Sequence, residues 1–205
     1  MEAIPTLLFD LGGVVFDLDF DRALRFWAER AGCDSETLRS RFHIDEAYER
    51  HELGHLDAHG YFEVLGTTLD ITLRYSDFLA GWNDIYLDAV VGMDLLLEEA
   101  ARLCPLYAFS NTNKIHQQVW PQRFKKELSH FRSIFTSCEL GARKPDPEAF
   151  RQVAGLIGCP PPEIWFFDDS KDNVAGALRA GMHATVVRSI RDVRSTLLEL
   201  GIIGC

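Results

Sequence analysis

The sequence predicts an α/β protein: a doubly wound, Rossmann-like parallel sheet with a small helical domain inserted after its first strand. Three observations point there. Short apolar runs such as Leu7-Leu8-Phe9 and Ile164-Trp165-Phe166-Phe167 have the length and composition of strands buried on both faces. From Pro105 onward such runs alternate with helix-like segments, the pattern of βαβ units. From about Asp19 to Ala89 the apolar period becomes helical instead, and little there reads as a strand.

The elements follow in order. The run TLLFD is the first strand and closes on Asp10. In the insertion, Phe20, Ala23, Leu24 and Trp27 share a helical spacing, as do Phe62, Leu65 and Leu69, and Asp34-Ser35 and Asp57 have the chemistry of N-caps. Further strands are expected at Cys104–Ser110, Ser133–Ser137, Glu163–Phe167 and His183–Val187. Asp146-Pro147 supplies an N-cap and an N1 proline, and Gly158 and Gly181 stand where helices stop. The expected division is a core of residues 1–18 and 90–205 and a helical cap of residues 19–89.

A chain of 205 residues, 47% hydrophobic and 25% charged, suits one globular core plus a modest insertion. The formal charge of −10 argues against a nucleic-acid partner, which would call for a basic face. It also means that an anionic substrate must be drawn by local cations, not by the global field. Five scattered cysteines (Cys33, Cys104, Cys138, Cys159 and Cys205), never spaced as CxxC, suggest reduced thiols. No apolar run reaches membrane-spanning length, and MEAIPTLLFD lacks the basic region and cleavage site of a signal peptide. The expectation is a cytoplasmic protein without a membrane partner.

The chemistry lies where elements end. Acid at the tip of a buried strand is costly unless it is solvated, paired or bound to metal, and two such tips can meet at the carboxyl edge of one sheet. Four groups occur in order: Asp10-Leu11-Gly12-Gly13-Val14, Ser110-Asn111, Lys144 before Pro145, and Asp168-Asp169. A carboxylate nucleophile, a hydroxyl and amide pair, a lysine and a metal-binding acid are what phosphoryl transfer through an aspartyl-phosphate needs. Singly each is commonplace, since Ser110 and Asn111 alone read as loop residues, Lys144 as a surface charge and either aspartate as an N-cap.

In this order and spacing the set resembles the haloacid dehalogenase (HAD) superfamily over essentially the whole chain. The phrases FDLGGVVFDLDF, FSNTNKIHQQVWP, LGARKPDPEAF, FFDDSKDNVAGA and YERHELGHLDAHGYF are similar to a bacterial subgroup that includes α-D-glucose-1-phosphate phosphatase. The resemblance implies a Mg²⁺-dependent phosphatase acting on a small phosphorylated metabolite, with a sugar phosphate as the expected substrate. It implies that Asp10 attacks phosphorus, that Ser110 and Asn111 hold the phosphoryl oxygens, and that Lys144 neutralises them and braces Asp10. It further implies that Asp10, the Gly12 carbonyl and Asp169 hold Mg²⁺, with Asp168 in support.

Phosphatases of this superfamily usually carry a second aspartate, a general acid/base, where this chain has Gly12. Losing such a group typically costs about 10²–10⁴-fold. Proton transfer then falls to water, the substrate or another side chain, and a departing anomeric oxygen would need the least help. Two alternatives stay open: a dehalogenase-like HAD hydrolase, or a weakly catalytic phosphometabolite-binding protein. Dehalogenases do not need Mg²⁺ and would have no use for the Asp168-Asp169 pair. The Schiff-base lysine of phosphonatases has no counterpart in the insertion, because no lysine precedes Lys114.

His51-Glu52-Leu53-Gly54-His55 matches the HExxH zinc signature, with His59 beyond it. Gly54 is a poor helix-interior residue and Asp57 looks like a new N-cap, so the helix should end there and turn the histidines apart. Ala58 also stands where the extended zinc signature needs glycine. Asp17 and Asp19 are read as local structure, and Trp27, Trp82 and His43 are given no role.

Overall fold

The computed structural model describes residues 4–204; Met1–Ala3 and Cys205, one of the five expected thiols, lie outside the described residues. The chain begins with β1 (Thr6–Phe9) and β2 (Phe16–Leu18). Five helices follow: α1 (Phe20–Ala31), α2 (Ser35–Arg41), α3 (Glu46–Glu52), α4 (Ala58–Leu69) and α5 (Tyr75–Asn83). Next come β3 (Tyr86–Ala89), α6 (Met93–Ala101), β4 (Leu106–Ser110), α7 (Lys114–Gln117), α8 (Trp120–Arg123) and α9 (Lys125–Leu128). The remainder is β5 (Ser133–Thr136), α10 (Ser137–Leu140), α11 (Pro147–Ile157), β6 (Ile164–Asp168), α12 (Lys171–Arg179), β7 (His183–Val186) and α13 (Ile190–Glu199).

Five strands form one parallel sheet in the order β5-β4-β1-β6-β7, with β1 at its centre. Side chains alternate across β1. Leu7 and Phe9 join the core shared with α6 and α13, whereas Leu8 joins the core beneath α11 and α12. Helices therefore cover both faces, which is why β1 is apolar at every position from Leu7 to Phe9. This is the doubly wound α/β fold that the sequence predicts.

The insertion is built on aspartate caps. Asp19, Asp34, Asp45 and Asp57 each accept a backbone N–H at the start of α1 to α4, an interaction typically worth about 0.5–2 kcal/mol. Trp27 and Trp82 are buried in its aromatic core, where their rings stack at 5.7 Å, and His43 is exposed. The reading of 19–89 as almost strand-free misses β3. This strand pairs antiparallel with β2 and so joins the two ends of the insertion in a ribbon. Strands of three and four residues are too short to display an alternating pattern.

Among the described residues no helix is long and apolar enough to cross a membrane. Cys33, Cys104, Cys138 and Cys159 are free thiols.

Candidate active site

β1, β4 and β6 end side by side, and their tips carry Asp10, Ser110 and Asp168. The Asp10 N–H donates to the Phe167 carbonyl at 2.8 Å, so the chain leaving β1 is tied to the end of β6. The loop between α10 and α11 brings Lys144 underneath. Lys144 is 1% exposed, and its Nζ lies 2.9 Å from Asp10 Oδ1 and 2.7 Å from Asp168 Oδ2. The rings of Phe109 and Phe166 lie 5.5 and 5.4 Å from the same ammonium and shield it from water.

Burial works against a charge on Lys144, but the two carboxylates outweigh it and hold the amine protonated. Burial pushes the Asp10 carboxyl well above the usual range; Lys144 opposes this, while Asp168 and Asp169 add to it. Asp169 is raised for the same reasons, burial first and the Asp168 charge second.

Asp10, Asp168 and Asp169 each present an oxygen within 4.8 Å of the others. Three carboxyl groups share one ammonium, so a further cation would relieve their mutual repulsion, and all-oxygen donors suit a hard divalent one. The donor set therefore fits Mg²⁺. Gly13 makes the crowding possible: its φ is +75°, and a Cβ there would overlap Asp169 Oδ2.

The sequence-predicted residues come together, with refinements. Asp168 is fully buried and accepts from Lys144, from the Ser170 N–H at 2.8 Å and from Asn173 Nδ2 at 3.0 Å on both oxygens. It buttresses the lysine from behind. Asp10 Oδ1 takes the Leu11 N–H at 2.7 Å as well as Lys144, which leaves Oδ2 without a hydrogen bond among the described residues. Ser110 lines the cavity, and its hydroxyl is likewise without a partner there.

Asn111 also lines the cavity, but both ends of its carboxamide hold the backbone of Lys144. Nδ2 donates to the Lys144 carbonyl at 2.8 Å, and the Lys144 N–H donates to Oδ1 at 2.9 Å. Positioning Lys144 is thus a task of Asn111 that sequence reasoning missed. Its second amide hydrogen and its backbone N–H remain for a ligand. Asn173 and Arg143 were missed as well. The signal for Asn173 was its place in the first turn after the double aspartate.

A cavity of about 620 Å³ opens over these groups. Gly12 lines it, and a Cβ on Gly12 would lie 2.6 Å from Leu18 Cδ1, so an apolar side chain fills the place of the missing acid. His116 also lines the cavity. Its Nε2–H donates to the Trp82 carbonyl at 3.0 Å, and its Nδ1 accepts from Asn113 at 3.3 Å. Burial lowers its pKa to about 3 and keeps it neutral, so it supplies no proton near neutrality. Asp17 is exposed at the rim, and Asp19 caps α1.

No zinc site forms at the HExxH phrase. α3 ends at Glu52, and Gly54 turns the chain with φ +73° while packing against Cys138, whose carbonyl would be 2.7 Å from a Cβ. His51 is buried with Nδ1 2.9 Å from the Leu56 carbonyl and its ring stacked on Tyr61, whereas His55 and His59 are exposed. Among the described residues, the Asp10, Asp168 and Asp169 cluster is the one with metal-ligand geometry.

Residues 4–181 match the family model for haloacid dehalogenase-like hydrolases. D-ribitol-5-phosphate phosphatase of Bacteroides thetaiotaomicron is 25% identical over 183 residues, covering 83% of this chain and 85% of that protein. Flavin mononucleotide hydrolase 1 of Arabidopsis thaliana is 34% identical over 120 residues, 57% of this chain and 46% of that protein. A mutant HAD family enzyme from B. thetaiotaomicron, solved in complex with magnesium and inorganic phosphate, aligns with a TM-score of 0.80 at 26% identity. That alignment covers 91% of this chain and 95% of the other. Family match, fold and carboxyl-edge acids agree: this chain belongs to the haloacid dehalogenase-like hydrolases.

Proposed function

We propose that the protein is a Mg²⁺-dependent phosphatase that hydrolyses a small phosphomonoester, best a sugar or polyol phosphate, through a phosphorylated Asp10. The observation that carries this reading is one buried ammonium touching both Asp10 and Asp168, with Asp169 completing an acid cluster at the mouth of the cavity. Relatives that act on D-ribitol 5-phosphate and on flavin mononucleotide support the substrate class.

The residues then have these tasks. A carboxylate oxygen of Asp10 attacks phosphorus, and a new P–O bond forms as the ester P–O bond breaks. The Ser110 hydroxyl and the Asn111 N–H groups hold the equatorial oxygens, while Lys144 offsets their charge and keeps Asp10 oriented. Water then attacks the phosphoryl group, releases phosphate and restores the Asp10 carboxylate. Asp10, the Gly12 carbonyl and Asp169 would hold Mg²⁺, which would supply charge neutralisation between the anionic nucleophile and the anionic substrate.

Residues 19–89, together with the β2–β3 ribbon, serve as a cap over a core of 1–18 and 90–205 and exclude bulk water. Free cysteines favour a reducing, cytoplasmic setting. The net charge of −10 disfavours nucleic acid as a partner.

The test is phosphate release from p-nitrophenyl phosphate and a panel of sugar and polyol phosphates. Chelation by EDTA should abolish release and excess Mg²⁺ should restore it. Chloride release from 2-chloropropionate would instead indicate a dehalogenase, and binding without turnover a metabolite-binding protein.

Gly12 offers a sharper test. Leu18 Cδ1 is the far end of a flexible side chain, so Gly12→Asp can be accommodated by a rotamer change. The new acid should raise kcat on alkyl monophosphates, whose alkoxides need a proton, by about tenfold or more. Sugar 1-phosphates should gain less, and an equal factor on both would refute the leaving-group argument.

A further inference from the structure

Glu52 is the acid of the HExxH phrase, and no zinc chemistry uses it. It ends α3 in the inserted segment, its side chain is 7% exposed, and it lines the cavity. Arg143, the neighbour of Lys144, fixes it there: Nη2 and Nε donate to Oε2 at 2.9 and 3.2 Å. Nη1 of the same guanidinium donates to Glu49 at 2.7 Å.

The backbone is anchored as well. The Ser137 hydroxyl donates to the Glu52 carbonyl at 2.7 Å and accepts the N–H of Thr112, next to Asn111, at 2.9 Å. The carboxylate thus has a set position relative to the phosphoryl-binding loop. Its Oε1 is not engaged by Arg143; the Tyr48 hydroxyl, also on the cavity wall, donates to the Glu52 carboxyl, whose oxygens keep further lone pairs for a ligand.

The charges around the cavity are lopsided. The cations lining it are Arg143 and Lys144, and each is already paired with two carboxylates. Asp17, Asp169 and Asp172 add further acid to the lining. Among the described residues, no lining cation is left for a second anionic group on a substrate. Leu18, Phe20, Ile85 and Tyr86 supply apolar surface against which the C–H faces of a polyol can pack.

We propose that Glu52 is a specificity-determining residue. It accepts hydrogen bonds from a neutral, polyhydroxylated leaving group and turns away phosphomonoesters that carry a second anion. This rests on the phosphatase reading of the same site. Burial pushes the Glu52 carboxyl up and Arg143 opposes it, so a second anion beside it meets a charge already short of solvation.

Glycerol 3-phosphate and 3-phosphoglycerate form a matched pair, a hydroxymethyl in one being a carboxylate in the other. Their Kd values should be measured by calorimetry with Mg²⁺ in an Asp10→Asn background, where neither is consumed. Glycerol 3-phosphate should bind about tenfold tighter or more. Glu52→Gln should shrink that ratio to within about threefold, a change that loss of packing alone would not produce. Glu49→Gln removes the other acid from Arg143 but keeps Glu52, and should preserve the ratio, so it guards against a Glu52 variant that fails to fold. Equal affinities in the parent, a ratio unmoved by Glu52→Gln, or one lost in Glu49→Gln would each overturn the proposal. Absence of p-nitrophenyl phosphate turnover sinks the phosphatase reading separately, since the binding ratio is read without turnover.

Discussion

Asp10→Asn should abolish turnover, by on the order of 10⁴-fold or more in kcat, while leaving the protein folded. A carboxamide oxygen lacks the electron density to attack phosphorus, so no phosphoryl-enzyme forms. The substitution is nearly isosteric, and Oδ1 can still accept from the Leu11 N–H and from Lys144. It also removes one of three clustered acids, so unfolding in denaturant should show equal or greater stability. Two measurements check this: turnover of p-nitrophenyl phosphate, and quenched trapping of covalently bound phosphate on the intact protein. Turnover at a few per cent of the parent rate would rule out Asp10 as the nucleophile.

Lys144→Met should damage both activity and stability. The ammonium is 1% exposed and sits between Asp10 and Asp168, so its loss leaves two buried carboxylates without their cation. Breaking a buried pair from one side typically costs about 3–5 kcal/mol, more than replacing the whole pair. Asp168 keeps the Ser170 N–H and Asn173, which softens the loss without cancelling it. A carboxyl whose pKa is raised in the folded state is favoured by protonation, and Asp10 is already raised by burial. The stability deficit should therefore be largest at neutral pH and narrow as the pH falls. The double variant Lys144→Met/Asp168→Asn should recover part of the stability and none of the activity. Recovery of activity would show that Lys144 serves the fold alone.

The strands that carry the site were legible for a simple reason. β1, β4 and β6 are buried on both faces, so their apolar runs stand out from the sequence, and the polar residue closing each run marks the sheet edge. The caps were legible because an aspartate bonding to an N–H two or three residues on is local chemistry. Even the failure of the HExxH phrase could be anticipated, since Gly54 and Asp57 end one helix and begin another within six residues of His51.

Other features depended on residues that meet only after folding. β2 and β3 lie some seventy positions apart and are each too short to show a period. Glu52 and Arg143 are 91 positions apart, and neither carries a local sign that it will meet the other. Asn111 reads as a ligand-binding residue, yet 33 positions downstream it finds the backbone of Lys144 and holds it. Local order along the chain determined which elements form and which chemical groups stand at their ends, because propensity, capping and burial period act over a few residues. Which groups neutralise one another, and what lines the cavity above the clustered acids, was decided by tertiary packing, because Coulomb forces and desolvation act through space and take no account of sequence separation.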